Sequence, residues 1–535
     1  MIGRIHKTNA KTLFAPVSLH SITRGNLLYY GKPCVSGAYF WKKDFIVVHI
    51  GVVFLVIFLA VMTAIGIWGM KRTRTLGDFF LGGRTLGPWV SAVAYGTSYF
   101  SAVIFIGFAG TQGWQFGLGA LWIALGNAVI GAGAAWLVLA RRTRRMTQNL
   151  DTMTMPEFLQ ERYGARHLKP VAASVIFFFL LPYSASVFKG LGHLFEKVFG
   201  IPYDIALLIM IAFTGVYLIL GGYFAIAITD FIQGIIMFCG AAVMVMVLSG
   251  RGGGYFEMIG RAAEAYAAHI PPEQRPSALT VCSLVFMTSF GTWGLPQMTQ
   301  KFYAIKNEAV IPKAAVVTTA FALMIGFAAY STGAFAHVFF DLGTVPRTAA
   351  GEISYDLIVP TLLTDHLPEV LLALILLLVL SASMSTLSSL VLVSSSSVAI
   401  DLYPSRQSAE SGKDRSVAMM RLLAGVFIII SYFISRFQIG IIVYLMSLSW
   451  GAVSGSFTAP YLYGLYWKRT TKAAAYAGLL SGLAIEIALF FALGASRSPL
   501  SASIAILAPF AVVPLVSLFT PPPGEDLLEK AFEGV

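Results

Sequence analysis

Between residues 45 and 520 the chain is a succession of apolar stretches, most of them about 20 residues or longer, separated by short polar turns. Few folds accept such a pattern. As a helix, a stretch of that length matches the hydrocarbon thickness of a bilayer, and in lipid each backbone polar group must be satisfied within its own segment. About thirteen runs can be read, near 45–69, 86–111, 117–140, 168–197, 203–221, 223–249, 279–300, 309–338, 366–400, 416–435, 438–465, 471–494 and 499–520. Pro521, Pro522 and Pro523 close the last one. The pattern predicts an all-α polytopic membrane protein. Composition agrees: 57% of residues are hydrophobic and 12% charged, against roughly 25% charged in a soluble chain. No single soluble core hides that much apolar surface. A soluble enzyme, a disordered scaffold and an ordinary nucleic-acid binder are excluded.

The net charge of +12 comes from basic residues in the turns. They read as orientation signals and contacts to anionic lipid. Basic loops at Lys71–Arg84, Arg141–Lys169, Lys301–Lys313, Arg406–Arg421 and Trp467–Lys472 alternate with short or acidic ones around Asp341, Glu352, Asp356 and Asp365. The expectation is a multi-pass protein of the inner, cytoplasmic membrane, with the C-terminus cytoplasmic and, for an odd number of spans, the N-terminus outside. Residues 1–43 carry seven Lys or Arg and lack an apolar core followed by a cleavage site, so they read as a disordered tail or a misassigned start. The membrane domain is placed at 44–521, with a cytoplasmic tail at 522–535. Cys34, Cys239 and Cys282 are scattered and define neither a disulfide framework nor a metal site.

Two spans are interrupted. Gly82, Gly83, Gly87 and Pro88 open the second, and Gly96 sits in its middle beside Thr97 and Ser98; Gly291, Gly294 and Pro296 interrupt the seventh. Discontinuous helices in corresponding positions mark transporters built from inverted repeats, because unwound backbone at membrane depth is tolerated where it lines a cavity. The alternative is that glycine and proline are simply common in membrane helices.

The run 381–397 is rich in hydroxyls. Ala382, Ser385, Thr386 and Ser389 are spaced i, i+3, i+4 and i+7 and share one helix face. Such a stripe offers hard oxygen ligands to a small cation, or else packs helices closely with its hydroxyls bonded to their own turn. Asp230 lies near the start of an apolar run, where an ionisable group costs about 2.5–3.5 kcal/mol on insertion scales. It reads as an ion site or as a helix-end carboxylate at the interface. Lys189 lies well inside a run and needs an anion: a solute carboxylate, Asp230, or water reached by snorkelling. Tyr183, Tyr99, Phe100 and Trp293 fall in or beside the polar or broken spans and are candidates to line a pocket, or belt and core residues. Glu157 reads as loop structure. No phosphate loop, HExxH or paired Cys/His spacing appears, so an enzyme is not expected.

Four stretches together resemble the sodium:solute symporter family, which includes bacterial proline, sialic acid and galactose transporters. They are Asp78 to Arg84 with Leu86-Gly87-Pro88; Gly221-Gly222 through Thr229-Asp230 and Gln233; Met384 to Ser389 through Asp401-Leu402-Tyr403; and Trp467 to Thr470. The resemblance covers roughly residues 45–500. It implies a leucine-transporter-type core of two inverted five-helix repeats, about 85–249 and 277–465, that couples solute entry to Na⁺ by alternating access. It implies a principal Na⁺ site built from the carbonyls of Thr97, Phe100 and Ala382 and the hydroxyls of Ser385 and Thr386. A second Na⁺ site would use Asp230, Ser385, Ser388 and Ser389. Tyr183 matches an aromatic of the proline transporters' pocket, and Lys189, Tyr99 and Trp293 join it as expected solute contacts. This chain departs from those transporters at Tyr99, where they carry an acidic residue, and at Thr288 and Thr292, where they place aromatics.

The expected function is therefore Na⁺-coupled import of a small polar solute, an amino acid or carboxylate. Solute, Na⁺ and bilayer would be its partners, with no nucleic acid and no obligatory protein. The rivals are a proton-coupled carrier with Asp230 as the proton site, and a membrane sensor that binds solute without moving it.

Overall fold

The computed structural model describes residues 37–72, 80–220, 222–402, 412–438 and 440–535. Residues Ile46–Val535 form one compact unit and Met1–Phe45 a second, described only from residue 37. The expectation for residues 1–43 thus lies mostly outside the described residues, as do Asp78, Phe79, Gly221 and Tyr403 of the motifs, and Cys34. Among the described residues no strand forms; two isolated β-bridges are all the extended pairing there is.

Helix α1 spans Gly37–Arg72. The next passage is discontinuous: α2 (Pro88–Tyr99), a π-helical turn at Val103–Phe108, then α3 (Ala109–Phe116). It is followed by α4 (Leu121–Gly126) and α5 (Ala135–Asn149), joined by a second π turn at Asn127–Ala134. Then come α6 (Met155–Tyr163), α7 (Leu168–Phe199), α8 (Tyr203–Leu220), α9 (Tyr223–Gly250) and α10 (Tyr255–His269). The second discontinuous passage is α11 (Ala278–Phe290) and α12 (Pro296–Tyr303). After it run α13 (Ile311–Phe339), α14 (Tyr355–His366), α15 (Glu369–Ser396), α16 (Gly412–Arg436) and α17 (Ile442–Tyr466). The chain closes with α18 (Lys472–Leu493), α19 (Ser498–Phe519) and α20 (Glu525–Phe532).

Ten of the described helical stretches are long and apolar enough to cross a membrane, or eleven when the bent pair α11–α12 is taken as one span. The expected thirteen runs differ from this for two physical reasons. The stretch Val103–Asn149 counts once at 47 residues, yet as a straight helix it would reach about 70 Å, more than twice a hydrocarbon core. It turns back at Gly117, whose φ of 55° few other residues accept. The run at 203–221 counts only as a short apolar helix, Tyr203–Ala212. At the C-terminus, α20 is docked rather than trailing, since Asn149 Nδ2 donates to the carbonyls of Ala531 and Glu533 at 3.3 and 2.8 Å.

The break of the first passage falls at Phe100–Ser101, four residues beyond the expected Gly96. Phe100 is extended (φ −104°, ψ 121°), and helix resumes at Ala102. Gly96 lies inside α2, where it admits the Phe321 ring of α13; a side chain there would meet that ring. The second passage breaks where glycine and proline sit: Gly291–Gly294 winds as a 3₁₀ turn, Leu295 is extended, and α11 and α12 meet at a 48° bend. Gly82, Gly83 and Arg84 all carry positive φ. Their turn carries the chain to Leu86, whose N–H and C=O bond Ala304 and Lys306 just past α12. The start of one broken passage is thus tied to the end of the other.

Helix α15 is buried along almost its whole length. A helix apolar on all sides belongs at the centre of a bundle, and α15 lies against α2, α7, α9 and α16. Its hydroxyls therefore lie inside the protein.

Candidate ion and solute site

The break at Phe100 frees carbonyls that an unbroken helix would use. The Ala102 N–H, which would otherwise serve the Ser98 carbonyl, goes to Ser383 Oγ on α15 at 3.2 Å. The hydroxyls of α15 answer. Ser385 Oγ donates to Thr97 O at 2.9 Å, with Ala382 O at 3.0 Å. Thr386 Oγ1 lies 3.4 Å from Thr97 O, 3.3 Å from Ser98 O and 3.1 Å from Ala382 O. Two hydroxyl protons are shared among these oxygens, so acceptors outnumber donors. Hydroxyls rotate, and either can turn a lone pair inward instead. A buried, acceptor-rich cluster of carbonyls and hydroxyls is the donor set that hard cations take.

Of the five expected ligands for this site, Thr97, Ala382, Ser385 and Thr386 are brought together across 288 residues of sequence, all of them fully buried. Phe100 makes none of the described hydrogen bonds to α15; it supplies the break, while the Ser98 carbonyl joins the cluster.

One turn further along α15 the second expected set looks different. Asp230 on α9 is paired with Lys301 on α12, Nζ to Oδ2 at 3.2 Å. The same ammonium donates to Ser389 Oγ at 3.1 Å and lies 5.2 Å from the centre of the Tyr223 ring. The side chains are 0% and 1% exposed. Ser389 Oγ is 3.0 Å from Ser98 Oγ, which donates to Ala94 O at 2.8 Å. Ser98 has spent its proton there, so Ser389 donates to it. Ser388 does not join: its Oγ donates to Ser385 O within its own helix at 2.8 Å. Lys301, read as the start of a basic loop, is thus a buried residue of α12. Burial of Asp230 in a span was the signal that a cation must lie beside it.

Lys189 does not pair with Asp230. It meets Asp356 of α14 at 2.8 Å and donates to Gly440 O at 2.7 Å. Asp356 also accepts from the Ile442 N–H at 3.4 Å. This second buried pair ties α7, α14 and the turn before α17.

The expected aromatics divide. Tyr99 stacks on Phe100 with centroids 4.7 Å apart and gives its hydroxyl to Thr288 O at 2.6 Å. Tyr99 and Tyr183 both contact Trp450 of α17, at 6.3 and 5.8 Å. Trp450 escaped the sequence reading. It is fully buried, and its indole N–H has no hydrogen-bond partner among the described residues. A buried donor left without a partner costs about 1–3 kcal/mol, which a polar ligand can return. Trp293 turns elsewhere: its indole donates to Ile130 O at 3.1 Å and its ring meets Phe290. Glu157 is structural, accepting from Met153 N as Thr154 caps α6, and pairing with Lys169.

Lys169 also reaches Asp401 at 3.4 Å, and Asp401 accepts from Thr154 Oγ1 at 2.9 Å. A small cavity lined by Thr154, Thr299, Gln300, Ser396, Ser397 and Asp401 continues the hydroxyl face of α15 toward its C-terminal end.

Comparison with known proteins bears on this geometry. A model of the sodium:solute symporter family matches residues 79–482. The osmoregulated proline transporter OpuE of Bacillus subtilis strain 168 is 30% identical over 468 residues, covering 85% of this chain and 90% of that one. The sodium/proline symporter of Staphylococcus aureus strain JH9 is 30% identical over 450 residues, covering 81% and 85%. Among solved structures, a Na⁺-coupled sialic acid symporter in its substrate-bound outward-open state superposes with a TM-score of 0.74. That match has 16% identity and covers 89% of this chain and 98% of the other, a likeness of fold.

Proposed function

The chain belongs to the sodium:solute symporter family, and from that premise we propose how its residues divide the work of Na⁺-coupled uptake. It is a Na⁺-coupled membrane transporter with the leucine-transporter fold. The Na⁺ is held by the carbonyls of Thr97 and Ala382 and the hydroxyls of Ser385 and Thr386, with Phe100 shaping the break and Ser98 adding a carbonyl. The observation that carries this reading is the convergence of Ser385 and Thr386 on carbonyls freed at the break of a helix 288 residues away.

The solute is a small amino acid or carboxylate. The proline-carrying relatives support that class. Trp450, with its free indole N–H, and Tyr183 and Tyr99 around it supply the pocket wall, next to the same break that holds the ion. Lys189 is the gate residue of the opposite half rather than a solute ligand, because Asp356 and Gly440 already satisfy it. The inverted repeats occupy about 85–249 and 277–465, and the C-terminus faces the cytoplasm, as the basic loops require.

Coupling follows from one shared element. The break at Phe100 gives carbonyls to the ion on one side and an aromatic wall to the solute on the other, so each ligand stabilises the conformation the other needs. One Na⁺ entering gains about 2.3 kcal/mol per 100 mV of membrane potential. A tenfold Na⁺ gradient adds about 1.4 kcal/mol. Together they sustain a solute gradient on the order of several hundredfold.

The test is a thermal-shift screen of the purified protein with amino acids and small carboxylates, in Na⁺ and in K⁺ buffer. A ligand that stabilises only in Na⁺ identifies solute and coupling together. Stabilisation that is indifferent to Na⁺, or uptake into Na⁺-free vesicles driven by a pH gradient, sinks the assignment.

A further inference from the structure

We propose that the Lys301 ammonium is a tethered cation that fills the place a second Na⁺ would take between Asp230 and Ser389, so that the protein binds a single Na⁺. The inference rests on the Na⁺-symport reading above and concerns its stoichiometry.

The residues implied for a second Na⁺ site are all present, but their oxygens are already committed. Asp230 Oδ2 and Ser389 Oγ both accept from Lys301, at 3.2 and 3.1 Å. Ser388 has turned its hydroxyl back onto Ser385 O. Lys301 cannot vacate the place by reaching water, since its side chain is 1% exposed and its ammonium faces the Tyr223 ring. Among the described residues Asp230 is the carboxylate that meets this ammonium, and a buried charge set against its counter-charge is far less costly than one left alone.

Electrostatics oppose adding an ion beside it. Two unit charges about 4 Å apart repel strongly enough, at a protein-like dielectric, to weaken binding on the order of a thousandfold. Among the described residues no Lys or Arg side chain bonds the oxygens of Ser385 and Thr386, whose partners are neutral carbonyls.

The tether also has a mechanical consequence. Lys301 sits on α12, the second half of one broken passage, while Ser98 sits on α2, the first half of the other. The chain of bonds from Lys301 to Ser389 to Ser98 links both breaks to α15, and the Ser98 carbonyl then faces Thr386 at the Na⁺ site. A fixed ammonium can hold this junction in every turn of the cycle, whereas a second Na⁺ would have to bind and leave.

Removing the ammonium should recreate the vacant site, because Asp230 Oδ1 has no partner even now and Oδ2 and Ser389 Oγ would be released. The experiment is equilibrium binding of ²²Na⁺ to the purified full-length protein, which requires no knowledge of the solute. The wild type is expected to bind one Na⁺ per chain with a Hill coefficient near one; Lys301→Ala is expected to bind two, and Lys301→Arg, which keeps a cation, one. Two Na⁺ on the wild type, or one on a folded K301A, overturns the proposal. If K301A fails to accumulate, the wild-type count alone decides. No Na⁺ bound by the wild type would instead strike the symport reading, so the two failures are distinct.

Discussion

Two buried lysine–aspartate pairs, carried by different helices, set the same chemistry in different surroundings. Lys301 and Asp230 meet among the hydroxyls of α15, one turn from the proposed Na⁺ site, and the ammonium's other described contacts are a serine and an aromatic face. Lys189 and Asp356 join α7 to α14, and their remaining described partners are backbone: Gly440 O and Ile442 N. The first pair is surrounded by side chains that can change ligand. The second is clamped by main chain that can only move as a whole. Under the proposed function the first belongs to the ion path and the second to a closure between α7, α14 and α17.

The sharpest way to break this comparison is to neutralise one partner at a time. Asp230→Asn or Lys301→Met leaves an uncompensated buried charge, which costs about 3–5 kcal/mol. The double variant D230N/K301M removes both charges and should recover most of that loss. Thermal unfolding in detergent, read as a double-mutant cycle, measures the coupling. Additive losses would mean that the pair is not a unit.

Lys189→Met should cost less, about 2 kcal/mol, because Asp356 keeps the Ile442 N–H. Its distinctive effect should be on gating. With the clamp loosened, cysteines introduced near α14 should label faster with a membrane-impermeant thiol reagent. If the labelling rate is unchanged while stability falls, the pair is structural only.

That the two lysines have separate partners could have been read from depth. Asp230 lies about 10 Å along α9 from its start, while Lys189 lies about 30 Å along α7. One helix, α8, lies between them, so α7 and α9 run the same way and a side chain cannot bridge a gap of about 20 Å. Lys301, two residues from the end of α12, sits at the matching depth. It was hidden because it follows an apolar run directly, where a lysine ordinarily marks the start of a loop. The hydroxyl face of α15 was legible because helical spacing alone places Ala382, Ser385, Thr386 and Ser389 together. The break was legible as a region but not as a residue. Gly96 looks like the weak point, yet its missing side chain serves packing against Phe321, and the backbone opens at Phe100, where sequence carries no mark. Trp450 was illegible for a similar reason: an aromatic in an apolar run looks the same whether it packs a core or lines a pocket.

Within the ion site, Ser385→Ala or Thr386→Ala removes a hydroxyl from a charged ligand, worth about 1.5–3 kcal/mol. The Na⁺ concentration for half-maximal uptake should rise roughly tenfold or more. Stability in Na⁺-free buffer should change little, which separates these variants from those of the Asp230–Lys301 pair. An unchanged Na⁺ dependence would remove the site.

Ser389→Ala tests whether the two clusters speak to each other. Ser389 touches no proposed Na⁺ ligand side chain; it accepts from Lys301 and donates to Ser98. Losing it should cost about 1 kcal/mol. Its effect on Na⁺ must then arrive through Ser98, whose carbonyl faces Thr386. A shift of a few-fold in half-saturating Na⁺, smaller than that of Ser385→Ala, is what transmission through one hydrogen bond allows. The shift should vanish when Ser389→Ala is made on the D230N/K301M background, because the ammonium that positions Ser389 is already gone. A shift equal in both backgrounds would mean that Ser389 acts on the ion by itself, and the two clusters would be one site.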